Sequence, residues 1–199
     1  MLNVRDFGAK PNDGSDCTLP IVQGLERLAG LGGGVLYFPR GRYRINAGLR
    51  SCMWIADALR IPPNVTLRGE GMELVSLYWP DRAEPLLSLI DGGDDFAIED
   101  LTIYTQGRHR NIISGSSRVH VRRVRIRANC YYGLDAVGKA HRGRNVSERH
   151  TDIGAAIEVS GENVSVTDCD ILHSSSTIIL RHVRGGFSGT HLAPAALIC

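Results

Sequence analysis

The amino-acid sequence predicts an all-β solenoid of short parallel strands, closed at its N-terminal end by one helix. Three observations lead there. A twelve-residue pattern of inward apolar positions recurs along the chain. Each copy holds two period-2 pairs separated by one extra residue. A single amphipathic helical stretch stands before the first copy.

The composition allows this. The chain has 199 residues, 43% of them apolar and 22% charged, with only 6% aromatic and 23 glycines. Few aromatics and many glycines suit short strands and frequent turns. No apolar run reaches the length of a membrane span, so a membrane partner is not expected. Met1-Leu2-Asn3-Val4-Arg5-Asp6 lacks the order of a signal peptide. Cys17, Cys52, Cys130, Cys169 and Cys199 are scattered and show no CxxC spacing. They read as small buried hydrophobes rather than zinc ligands or a disulfide framework.

The helix comes first. Ile21, Val22, Leu25, Leu28 and Ala29 recur at helical spacing, which predicts a helix near 17–30. Asp13-Gly14-Ser15-Asp16 can cap it, Pro20 is tolerated in its first turn, and Gly32-Gly33-Gly34 ends it. Val35-Leu36-Tyr37-Phe38-Pro39 and Tyr43-Arg44-Ile45 then read as strands around a turn at Arg40-Gly41. A helix in this place covers the open apolar end of a solenoid.

The repeats follow. Phe96, Ile98, Leu101 and Ile103 match Val119, Val121, Val124 and Ile126, and match again Val164, Val166, Cys169 and Ile171. The extra residue, Arg123 in the central copy, flips the phase, so the chain bends while its apolar side chains stay inside. Weaker copies begin at Asn64 and Asn145. Third strands are expected at Asn111-Ile112-Ile113-Ser114, Leu134-Asp135-Ala136, Ile157-Glu158-Val159 and Ile178-Ile179-Leu180. Residues 136–153 are either one more coil or a long loop. Asn64, Asn145 and Asn163 each begin an N-x-S/T sequon, which the repeat pattern itself explains. The pattern divides the chain into a cap at 1–48, coils at 49–184 and an irregular tail at 185–199. A tail without a recognisable cap implies that the chain is a piece of something longer.

With that frame, LNVRDFGAKPNDGSD, GGGVLYFPRGRYRI and IPPNVTLRGEG resemble the N-terminal segment of the pectate lyase-like superfamily. This resemblance covers residues 2–71 by motif and continues to about 184 by repeat. It implies a right-handed, single-stranded parallel β-helix. It also implies an extracellular or periplasmic polysaccharide hydrolase or lyase acting on acidic, uronate-type glycans, with Ca²⁺ as a cofactor if the enzyme is a lyase. The alternative within the same superfamily is a non-catalytic carbohydrate-binding or tailspike-like β-helix. His150-Thr151-Asp152 sits where polygalacturonase-type enzymes carry Asn-Thr-Asp, but Ser174-Ser175-Ser176 lacks their following carboxylates. Tyr132-Gly133-Leu134-Asp135 is similar to the Tyr-Gly-Phe-Asp of alginate epimerases, with Ala136-Val137 in place of Pro-His.

The candidate site residues follow from the strands. Asp135 and Glu158 would point outward at equivalent third-strand positions. Neighbouring strands would set them ~5 Å apart, a spacing that suits retaining hydrolysis or a bound Ca²⁺. Two exposed acids on a solvated strand is the other reading. His150 with Asp152 could form an acid–base pair. Residues 108–149 carry eleven of the 23 Lys and Arg, against only Asp135 and Glu148. Of these, Lys139, Arg142, Arg144 and Arg149, with Tyr132, are the expected substrate-binding residues, because guanidinium binds carboxylate bidentately. No nucleic-acid-binding motif accompanies this charge, so a polysaccharide is the expected partner.

Overall fold

The computed structural model describes residues 1–46, 59–80, 86–107, 109–130, 155–173 and 176–194. Its elements in order are β1 (Leu2–Asn3), a 3-10 turn (Val4–Phe7), α1 (Thr18–Gly30), β2 (Gly34–Phe38), β3 (Gly41–Arg44), β4 (Leu59–Arg60), β5 (Val65–Gly69) and β6 (Val75–Trp79). There follow β7 (Leu86–Asp91), β8 (Phe96–Gly107), β9 (His109–Gly115), β10 (Val119–Cys130), β11 (Ala155–Thr167), β12 (Asp170–His173), β13 (Ser176–Ser188) and β14 (His191–Pro194). Every strand pairing among the described residues is parallel, and partners lie one coil apart. The fold is the expected right-handed parallel β-helix with an N-terminal helix.

Each coil presents three faces. Face A stacks β1, β2, β5, 96–99, 119–122, 164–167 and 185–188. Face B stacks β3, β6, 101–107, 124–130, β12 and β14. Face C stacks β4, β7, β9, 155–160 and 176–181. All twelve slots of the three strong copies are buried, as are Val65 and Leu67 of the weaker one, whose missing pair is supplied by Val75 and Leu77.

Two columns of left-handed backbone turn the chain without disturbing this core. Asn64, Asp95, Arg118 and Asn163 have φ between 56° and 60° just before face A. Asp100, Arg123 and Asp168, the extra residues of the three copies, have φ between 50° and 57° between faces A and B. Left-handed conformation costs a non-glycine residue roughly 1–2 kcal/mol, so backbone ladders and packing on both sides must hold it. In the last coil this place falls to Gly189, with φ 60° and no Cβ to strain.

α1 buries Ile21, Leu25 and Leu28 over the first coil. Cys17 is the N-cap and makes no side-chain cap bond, but Asp16 Oδ1, one residue earlier, accepts from the Thr18 amide at 2.9 Å at the start of the helix. Gly33 lies so close to the Asn64 carbonyl that any Cβ there would collide with it. Cys17 and Cys169 are buried free thiols, and burial pushes both above the usual thiol range.

β10 pairs directly with 164–167 and β12, and β9 pairs directly with β11. The weak copy at Asn145 and the stretch 136–153 lie outside the described residues. One expectation is corrected. The tail expected to be irregular from 185 is strand at 185–188 and 191–194, pairing with β11 and β12. A parallel ladder bonds backbone to backbone, so it can continue where the side-chain pattern lapses.

Candidate functional site

The stretches between the end of a face B strand and the start of the next face C strand vary in length: 47–58, 81–85, 108, 131–154 and 174–175, all outside the described residues. By contrast, one or a few residues suffice at the other two corners. Three consecutive residues are buried on each of the central strands of face C, 88–90, 111–113 and 155–157. Inside-outside alternation is thus lost there, and the sheet is covered on both sides.

Beyond this covered part runs a polar row. In register along face C stand Arg60, Asp91, Ser114, Glu158 and Ile179. Ser114 Oγ donates to Asp91 Oδ1 at 2.9 Å, and Arg60 Nη2 lies 3.5 Å from Asp91 Oδ2. Glu158 is half-buried, and its Oε2 accepts from Asn111 Nδ2 at 2.7 Å. Asn111 is itself buried, and its Oδ1 accepts from the Ala155 amide at 3.2 Å. The first residue of β11 thus fixes the amide that orients Glu158.

Among the candidate residues read from sequence, only Glu158 lies within the described residues. Its strand neighbours in the row are Ser114 and Ile179. Asp135, the other member of the expected carboxylate column, lies outside the described residues with Asp152, His150, Lys139, Arg142, Arg144, Arg149 and Tyr132, all in the sequence between Cys130 and Ala155. Asp91 was not anticipated. It stands four residues before the left-handed Asp95, as Ser114 stands four before Arg118, and that offset is the signal which marks it.

The basic stretch on β10 is not a free cationic patch. Arg118 pairs bidentately with Asp95, and Arg123 with Asp100 at 2.5 and 2.7 Å. Arg125 reaches Glu73 at 2.5 Å and Asp170 at 3.0 Å, and Arg127 also meets Asp170. Arg122 lies 3.7 Å from Glu99, which Arg68 also holds at 2.8 Å. These contacts place the Asp95 and Asp170 carboxyls below the usual carboxylate range, Asp170 chiefly through Arg127.

Calcium needs six to eight oxygen ligands. The described residues include no group of three candidate metal ligands, and Asp91 and Glu158 stand two strands apart, each already hydrogen-bonded. These residues do not form a Ca²⁺ site.

No protein-family model matches the chain. Over 152 residues, 67% of its length, the chain is 31% identical to Alginate lyase 7 of Azotobacter vinelandii, and it spans 17% of that protein. It is 29% identical over 155 residues to the mannuronan C5-epimerase AlgE3 of the same organism, spanning 8% of it. Its fold superposes on the A-module of the Azotobacter vinelandii mannuronan C-5 epimerase AlgE6 with a TM-score of 0.50 at 17% identity, covering 96% of this chain and 57% of that one. A Parabacteroides merdae protein of glycosyl hydrolase type gives 0.51 at 14% identity, covering 96% and 94%. The chain is a parallel β-helix related in sequence, over two thirds of its length, to an alginate lyase and to mannuronan C5-epimerases.

Proposed function

We propose that the chain belongs to an enzyme that modifies uronate polysaccharides, with its substrate groove on face C beside the 131–154 stretch. The observation that carries this reading is the polar Asp91–Ser114–Glu158 row on face C, whose strands follow the chain's stretches of variable length. The sequence similarity to an alginate lyase and to mannuronan C5-epimerases supports the substrate class.

Both lysis and epimerisation begin with removal of the proton α to a uronate carboxylate. That step needs a cation against the carboxylate, a base at the carbon, and a proton donor. Lys139, Arg142, Arg144 and Arg149 supply the cations, and one of them can act as base. His150 backed by Asp152 supplies the titrating pair, and Tyr132, Asp135 and Glu158 line the groove. In elimination, the electron pair left at carbon forms the new double bond, the bond to the leaving glycosidic oxygen breaks, and that oxygen takes up a proton. In epimerisation, the carbon is reprotonated from the opposite side. No step is routed through a metal ion.

Inverting hydrolysis is a second reading, favoured by one observation. Asp91 and Glu158 occupy one row two strands apart, about 9.6 Å between backbones, near the upper end of the carboxylate spacing for that reaction. A secreted location fits either reading.

The test is incubation with polymannuronate, polyguluronate and polygalacturonate, with Glu158→Gln and His150→Ala beside the parent. Unsaturated chain ends indicate a lyase, altered uronate configuration an epimerase, and reducing ends alone a hydrolase. A parent that binds these polymers without changing them would overturn the catalytic reading in favour of a binding module.

A further inference from the structure

Face B carries a second polar surface that the groove does not use. Its outward rows run Arg42, Ser76, Thr102 and Arg44, Tyr78, Tyr104 in register. Above the first row lies an open cleft of about 500 Å³, walled by Asn12 on one side and by the turn at Met72–Leu74 on the other. Both walls are fixed by backbone bonds. The Leu74 amide donates to the Gly71 carbonyl at 3.0 Å, and the Asn12 amide donates to the Arg42 carbonyl at 2.9 Å. Asn12 Oδ1 also accepts from the Arg42 amide at 2.9 Å.

Arg40 and Arg42 line this cleft, both exposed. Every arginine of the β10 stretch sets its guanidinium on a carboxylate from a neighbouring coil, whereas the Arg40 and Arg42 guanidiniums pair with no carboxylate among the described residues; Glu70, beside Arg40, accepts from the Arg40 backbone amide at 2.7 Å instead. The acid at the cleft, Glu73, is already taken by Arg125. The Arg42 guanidinium carbon lies 3.9 Å from the centroid of the Tyr78 ring, which holds the side chain across the sheet. Tyr78 and Tyr104 stack in turn, with centroids 5.6 Å apart and planes 30° apart, and Tyr104 is 36% exposed. Thr102 and Tyr104 are two residues apart on one strand, about 6.8 Å, room for one adjoining sugar ring.

A walled cleft with two guanidiniums unclaimed by carboxylates of the described residues, beside an exposed aromatic shelf, matches the pattern of a small polar-and-aromatic ligand site. We propose that this cleft is a second saccharide-binding site, on a different face from the groove, that takes a carboxylate-bearing sugar of an acidic glycan. Arg40 and Arg42 engage the carboxylate, and Tyr104 meets the flat face of the adjoining ring. Such a site would hold a long polymer to the protein without joining in the chemistry.

The test is amide NMR of the protein titrated with a mannuronate hexamer. A neutral cellohexaose and a single-stranded oligothymidylate serve as comparison ligands. The expected result is saturable shifts at Gly41, Met72 and Thr102, weakened by added salt. Affinity at these amides should fall at least tenfold in Arg40→Gln/Arg42→Gln and stay unchanged in Glu158→Gln. Melting at the parent's temperature shows that the double variant is folded. Tyr104→Ala, which keeps both cations, should weaken the same shifts less. The proposal is overturned by cleft amides that ignore the hexamer, or by equal shifts in parent and double variant. A response to cellohexaose equal to that for the hexamer also overturns it. Tighter binding of the oligothymidylate would identify a nucleic-acid surface instead. Loss of catalysis in groove variants leaves these shifts in place, so the two sites fail separately.

Discussion

Replacing Arg123 tests how the coils turn. Its φ of 50° lies in the left-handed region, and its guanidinium binds Asp100 at two points. With side chains 40% and 21% exposed, that pair is discounted as a surface salt bridge and contributes up to about 1 kcal/mol. Arg123→Ala loses the pair but keeps a Cβ, so the backbone strain of roughly 1–2 kcal/mol remains. Arg123→Gly loses the same pair and releases most of that strain. Alanine is therefore expected about 1 kcal/mol below the parent, glycine close to the parent, and Arg123→Val lowest. For a chain of this size 1 kcal/mol is about 2–4 °C in Tm. Differential scanning calorimetry of the four proteins in one buffer measures it. If the glycine variant melts below the alanine variant, the position is ordinary strand, where glycine is the worse residue, and the account of the bend is wrong.

Two further outcomes follow from the core and the charge rows. Val121 is fully buried between Ile98 and Val166 in its row, so Val121→Asp places an unpaired carboxylate in the core. The cost is several kcal/mol, comparable with the whole stability. Loss of the β-sheet circular dichroism signal at 25 °C is expected, and a parent-like melt would contradict the inward assignment. Asp170 is held below the usual carboxylate range by Arg127 and then Arg125. The unfolded chain therefore binds a proton more readily there, so this contribution is complete above the unfolded value of about 3.9 and lost as pH falls through the folded one. Asp170→Asn should lower Tm at pH 7 and narrow the parent's advantage as the pH falls below 4. An advantage that grows with acid would refute the pairing.

Much of the fold was legible because parallel stacking reuses the same slots. Phe96, Val119 and Val164 read alike since each fills the same place in successive coils. The bend was legible because one extra residue must break the period. The arginine pairings were not, since the partners of Arg118 and Arg125 lie 23 and 45 residues away. A count of charge along the sequence sees the cations without the acids that face them. The weak copy at Asn145 lies outside the described residues, and β10 pairs directly with β11 on either side of that stretch. Asp91 was missed because the coil that begins at Asn64 is interrupted after Leu67, which hid its third strand.

The most direct test of the central claim, a parallel β-helix that works on uronate polymers at face C, is proton NMR of polymannuronate incubated with the protein and with Glu158→Gln. The account predicts new signals from unsaturated ends or from epimerised residues in the parent, at a rate reduced at least tenfold in the variant at unchanged Tm. An unaltered polymer spectrum with the parent, or equal rates in both proteins, would contradict it.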